Sequence, residues 1–171
     1  MIAEYKKLLP ENFHAESRVW IYQCERAFNE TETTQINELL HEFTANWTSH
    51  GAKVKGFGNV FFNQFIVFMA DETASEVSGC STDSSVRVIK NIEETYQVSL
   101  FNRQLIGFFV NEKIELIPLH EIQKSFESEL INAETLYFNN IVSHKKEFEE
   151  SWIIPLKNSW LRNKISEFLF Q

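Results

Sequence analysis

Two cysteines, three prolines and five glycines are few for a chain of 171 residues. The scarcity of proline and glycine excludes a long flexible linker and predicts short connections. The two cysteines, Cys24 and Cys80, make no CxxC pair, so neither a thioredoxin-type motif nor a cysteine-based zinc site is built. One disulfide is formally allowed, but no signal peptide precedes it: Met1-Ile2-Ala3-Glu4-Tyr5-Lys6-Lys7 carries charge where an apolar stretch would be needed. Free thiols and a cytoplasmic location are therefore expected. No apolar run approaches the roughly 18 residues of a membrane span. The formal net charge is −8, and the densest basic clusters are only Lys6-Lys7 and Lys145-Lys146. Nucleic acid and anionic membrane are accordingly not expected as partners.

What the chain has in abundance is aromatic residues: 14% of the total, with 16 phenylalanines. This much phenylalanine implies a large core, an apolar groove, or an interface with a second copy of the chain in a homodimer. A chain of this length folds without metal or disulfide. A single domain over residues 1–171 is expected, with a core over about 17–118 and an extension over about 119–171.

The periodicities give the elements. Residues 18–24 read as a buried strand. Asn29 and Glu32 have the spacing of a capping box. Ile36, Leu39, Leu40, Phe43 and Trp47 then recur on one helical face as far as Gly51, with His50 placed at the helix end. Residues 54–62 read as a strand in which Gly56 and Gly58 suggest a bend. The uninterrupted Phe65-Ile66-Val67-Phe68-Met69 reads as a central strand covered on both faces. A polar loop over 71–85 leads into a helix carrying Val86, Ile89, Ile92 and Tyr96. Residues 104–110 and 113–117, joined by Asn111-Glu112, read as a hairpin. Beyond Pro118 the pattern suggests a helix over 120–129, a strand over 135–142, a short helix over 144–150, an extended segment over 152–156 and a last helix over 159–170. Its large apolar residues are expected to pack across the sheet or to seal an interface. The order β-α-β-β-α-β-β predicts an α+β fold: a ferredoxin-like (split βαβ) core with an extra hairpin strand and a C-terminal helical extension.

That topology is expected to set the first and third strands side by side. On the expectation that their C-terminal ends share one sheet edge, Cys24, Arg26, Asp71, Cys80, Ser81 and Asp83 would converge there. A thiol at a helix N-terminus beside Arg26 would favour thiolate. Cys80 is thus the candidate nucleophile or redox sensor, with Ser81 and Arg26 as an anion pocket. The plainer reading makes Ser81, Thr82 or Asp83 a helix cap and Cys80 a packed residue. The histidines give no metal site: the second ligand position is Ala45 after His41-Glu42 and Lys124 after His120-Glu121. No cofactor is implied. Glu93-Glu94 and Glu149-Glu150 read as solvated helix positions, and Asn139-Asn140 as a turn or a pocket lining.

The stretches 18–23, 65–72, 78–86 and Phe138-Asn139-Asn140, and above all Gly79-Cys80-Ser81-Thr82-Asp83-Ser84, carry a resemblance. Over about residues 17–160 the chain resembles a family of small uncharacterised bacterial proteins often labelled "ABC transporter ATPase". The resemblance implies no activity, cofactor or catalytic residue. The label does not fit, because a phosphate-cradling Gly-x-x-x-x-Gly-Lys-Ser/Thr loop is required and the chain has no Gly-Lys dipeptide. Two classes of function are expected: a non-enzymatic binding or interaction protein using an aromatic-rich surface, or a thiol-dependent enzyme or redox sensor built on Cys80.

Overall fold

The computed structural model describes residues 2–165. The strands and helices in chain order are β1 (Arg18–Gln23), α1 (Glu30–Asn46), β2 (Thr48–Ser49), β3 (Ala52–Lys53), β4 (Lys55–Phe61), β5 (Phe65–Asp71), α2 (Gly79–Tyr96), β6 (Leu105–Val110), β7 (Lys113–Pro118), α3 (Ile122–Glu127), β8 (Leu136–Phe138), α4 (Lys145–Ser151) and β9 (Ile153–Pro155). The α+β class is as expected. The chain divides into two compact units, one of residues 1–101 and 143–149, the other of residues 102–142 and 150–171.

The first unit is built on the sheet β1-β5-β4. β5 lies at its centre and every residue of it is buried, which is why the segment tolerates no polar alternation. Both neighbours run antiparallel to β5, so β1 and β4 are parallel to one another and flank it. Helix α1 begins where the capping box predicts. Asn29 Oδ1 accepts from the Glu32 amide at 2.9 Å, and Glu32 Oε2 accepts from the Asn29 amide at 3.0 Å. Ile36 and Leu40 of α1 and Ile89 and Ile92 of α2 are buried with Val60, Ile66 and Phe68 of the sheet. Elsewhere in this unit Phe61 meets Phe148 edge-on, and the Tyr5 hydroxyl donates to the Phe148 carbonyl.

Gly56 and Gly58 do not bend β4, whose pairing with β5 runs unbroken from Lys55 to Phe61. They admit the neighbouring helix. A Cβ on Gly56 would lie 2.7 Å from Trp47 Cε3, and one on Gly58 would lie 3.2 Å from the Leu40 Cβ. Helix α1 stops at Asn46, and a small hairpin, β2–β3, fills the stretch expected to be helical as far as Gly51. His50 and Gly51 form its turn with φ of 50° and 79°, so His50 is a turn residue and not a helix-end partner.

The four-stranded sheet of the expected ferredoxin-like core is not formed. The first and third strands are neighbours, but a full sheet of that kind needs β6 on the open side of β1. Residues 143–145 reach that side instead: the Val19 amide donates to Ser143 and the Lys145 amide to Ser17. β6 belongs to the second unit, in the sheet β7-β6-β8-β9. The segment beyond Pro118 is thus less an extension than the other half of that sheet. Ile106, Phe108, Ile117, Tyr137, Leu156 and Leu161 share its core. The expected strand over 135–142 is only Leu136–Phe138. Trp160–Lys164 is a 3-10 turn that ends at the extended Ile165, and residues 166–170 of the expected last helix lie outside the described residues. Six phenylalanines serve the cores: Phe61, Phe65, Phe68, Phe108, Phe138 and Phe148 are all less than 2% exposed.

Candidate functional site

Cys80 occupies the first turn of α2 and is exposed. The helix starts at Gly79, well before Val86 where its apolar face begins, because Ser78, and not Ser81, Thr82 or Asp83, caps it through the Ser81 amide at 3.2 Å, and the exposed Cys80 is not a packed residue. Ser81 is itself buried and fully engaged. Its hydroxyl donates to the Thr48 carbonyl at 2.7 Å and lies 2.9 Å from the Ser78 hydroxyl. Its carbonyl accepts the buried indole N–H of Trp47 at 3.0 Å. Ser81 therefore ties the start of α2 to the end of α1 and does not face a ligand. Asp83 is exposed on the following turn.

Arg26 is not part of this group. The pairing of β1 with β5 sets Gln23 opposite Phe65 and Arg18 opposite Ala70. Antiparallel neighbours have their C-terminal ends at opposite ends of the sheet, so residues following β1 cannot meet residues following β5. Arg26 sits at the C-terminus of α2, donating to the Tyr96 carbonyl at 3.3 Å. Cys80 precedes Tyr96 by sixteen residues of one helix, about 24 Å at about 1.5 Å of rise per residue. The expected anion pocket of Cys80, Ser81 and Arg26 is therefore absent. Arg26 instead forms a two-pronged ion pair with Glu32. This bond, with the Asn29 amide, holds the Glu32 carboxyl down at about 2. Cys24 also belongs to the Arg26 end. It is completely buried, burial pushes its thiol pKa up, and both cysteines are free.

Asp71 anchors a different cluster. It is 3% exposed and accepts from four donors: the Lys55 ammonium at 2.9 Å, the His14 amide at 3.1 Å, and the Thr73 hydroxyl and amide at 2.7 and 3.1 Å. Burial opposes its charge, but these donors overcome it and hold the carboxyl well below the usual carboxylate range. Lys55 also donates to the Asn12 carbonyl at 2.6 Å. Asp71 thus pins residues 12–14 to the sheet. An open depression of about 290 Å³ beside it is lined by His14, Glu16, Ser17, Asp71, Glu72 and Thr73. It contains serine, histidine and aspartate but not the relay these form in hydrolases. Asp71 takes the backbone N–H of His14, His14 Nδ1 accepts the Glu16 amide at 3.1 Å, and the buried Ser17 hydroxyl has no hydrogen-bond partner among the described residues.

Lys55, His14 and Thr73 are the members of this cluster that reading the sequence missed. One signal was available, since the tight turn after Phe61 puts Lys55 opposite Asp71 in the hairpin register. Asn139 and Asn140 are turn residues, as the plainer reading has it. Asn139 Nδ2 donates to Ser151 O, and Asn140 Oδ1 accepts the Trp152 indole N–H. Among the described residues no three His, Cys, Asp or Glu side chains are grouped to hold a metal ion, and no helix is long and apolar enough to cross a membrane. Comparisons with protein-family models, with curated proteins and with solved structures find no match.

Proposed function

We propose that this chain is a non-enzymatic interaction protein. The observation that carries the reading is the separation of Cys80 from Arg26 by the length of α2. A thiol enzyme needs an activating base or cation at the sulfur, and the charged group expected to serve is committed to Glu32. The other candidates are engaged as well: Ser81 joins two helices, Asp71 is saturated by four donors, and Cys24 is buried. Large apolar side chains remain at the surface, among them Ile141 at 70% and Phe101 at 41% exposure.

The test is complementation of a deletion strain, together with thiol alkylation. Cys80→Ala should complement as well as the natural chain. In the folded protein Cys80 should alkylate at the rate of free cysteine, and Cys24 only on unfolding. Loss of complementation by a folded Cys80→Ala variant, or alkylation of Cys80 tenfold faster than free cysteine at pH 7, would move the thiol-enzyme reading ahead.

A further inference from the structure

β7 is the outer strand of the sheet β7-β6-β8-β9. The two-residue turn Asn111-Glu112 sets Val110 opposite Lys113, and the ladder continues to the bond from the Leu119 amide to the Gln104 carbonyl at 2.8 Å. Antiparallel ladders alternate, so Lys113, Glu115 and Ile117 direct their backbone groups at β6. The N–H and C=O groups of Ile114 and Leu116 point away from β6 and have no hydrogen-bond partner among the described residues. Pro118 has no N–H and ends the stretch that can pair further.

Side chains alternate across a strand, so Lys113 and Glu115, both exposed, share a face with the buried Ile117, and Ile114 and Leu116 lie on the other, both half-buried. A strand that fits the turn end of this edge, residues 113–115, must offer an apolar residue on one face and opposite charges on the other. β7 itself, read antiparallel, does so. With Ile114 opposite its own copy across a two-fold axis, Lys113 of each chain faces Glu115 of the other, the paired stretch is residues 113–115, and Leu116 falls opposite the turn residue Glu112, so the ladder bonds are those of Ile114 alone. A shift of one residue exchanges the faces. A shift of two residues sets Glu115 against its own copy, and like charges directly opposite are destabilising.

We propose that β7 pairs with β7 of a second copy of this chain, in the register that joins Lys113 to Glu115, to form a continuous eight-stranded sheet. This rests on the interaction-protein reading and names one partner and its surface. Unprotected edges invite indiscriminate pairing. A short edge carrying one charge of each sign and closed by a proline narrows the choice to a strand of matching pattern. The contact is small, so association should be weak and concentration-dependent.

Sedimentation velocity of the full chain over a concentration series tests this. The natural chain should show a monomer–dimer equilibrium. Lys113→Glu and Glu115→Lys should each weaken association by roughly tenfold or more, because each sets like charges opposite at two places. An equimolar mixture of the two variants should restore the dimer, since one then carries two acids where the other carries two bases. Both positions are exposed, and circular dichroism checks that the variants fold. A chain that stays monomeric at every concentration, single variants that dimerise like the natural chain, or a mixture that fails to restore association would each overturn the proposal. None of these bears on Cys80, so the interaction-protein reading stands or falls separately on complementation by Cys80→Ala.

Discussion

Arg26 grips Glu32 through Nη1 at 2.8 Å and Nη2 at 2.9 Å, while Nη2 also reaches the Tyr96 carbonyl. One side chain therefore joins the first turn of α1 to the last turn of α2. Glu32 completes the capping box of α1 from the same position. The pair is a helix-end clamp, and this follows from the antiparallel placement of β1 against β5.

Arg26→Ala should cost about 1 kcal/mol, a figure held down by the partial exposure of the pair. Equilibrium urea unfolding measures it. The Glu32 titration midpoint, followed by NMR, should rise from about 2 toward the ordinary carboxylate value of about 4.3. A carboxyl depressed in the folded state stabilises above its unfolded pKa, and that contribution is lost as pH falls. The natural chain should therefore lose this increment between about pH 5 and pH 2, and Arg26→Ala should show a flatter acid limb. The alkylation rate of Cys80 should not change in this variant, and a change would mean the two groups communicate.

Asp71→Asn should destabilise by roughly 1–2 kcal/mol, because it leaves Lys55 without its charge partner at a half-buried position. The local effect should exceed the global one. The His14 amide loses a charged acceptor, so hydrogen exchange over residues 12–16 should accelerate more than exchange in β5. Asp71 is also depressed in the folded state, so its stabilisation is present above about pH 3.9 and is lost below it. The variant should unfold in acid with a shallower slope than the natural chain. Equal slopes would show that Asp71 does not carry its charge through that range.

The local features were legible in the sequence, and the long-range ones were not. The capping box at Asn29 and Glu32, the buried run from Phe65 to Met69 and the hairpin about Asn111-Glu112 depend on neighbours in the chain, and the structure has them. The choice of partner for β6 depends on residues 136–138, which lie far along the chain and have only a short strand's worth of pattern. The β2–β3 hairpin was hidden because its strands have two residues each and show no alternation. The candidate site failed for a geometric reason. Adjacency of β1 and β5 was expected, but their ends converge only if the strands run parallel. Antiparallel pairing sends Arg26 to one end and Asp71 and Cys80 to the other.

Gly56→Ala should cost roughly 1–3 kcal/mol, the range for overpacking a filled site. The added Cβ would stand 2.7 Å from the ring of Trp47, which is 2% exposed and held by its bond to Ser81. The ring cannot retreat without breaking that bond. Trp47→Leu should lower the penalty of Gly56→Ala, and a double-mutant cycle by urea unfolding reads the coupling. Strictly additive effects would show that the glycine serves something other than the approach of α1.

The turns of two hairpins make opposite predictions from one cause. His50-Gly51 and Asn111-Glu112 both adopt positive φ at both positions, the turn that matches strand twist. At Gly51, with φ of 79°, an added Cβ would meet no atom within 4 Å. Gly51→Ala should nevertheless destabilise by about 1 kcal/mol, since its penalty comes from the backbone alone. At Glu112, with φ of 63°, the native side chain already bears that penalty. Glu112→Gly gives the Asn-Gly pair such turns prefer, and should stabilise by roughly 0.5 kcal/mol after the greater flexibility of glycine in the unfolded chain is set against it. Thermal or urea unfolding of the two variants should move in opposite directions. Two losses would mean that Glu112 makes a contact outweighing its backbone strain, and two gains would contradict the left-handed conformation at Gly51.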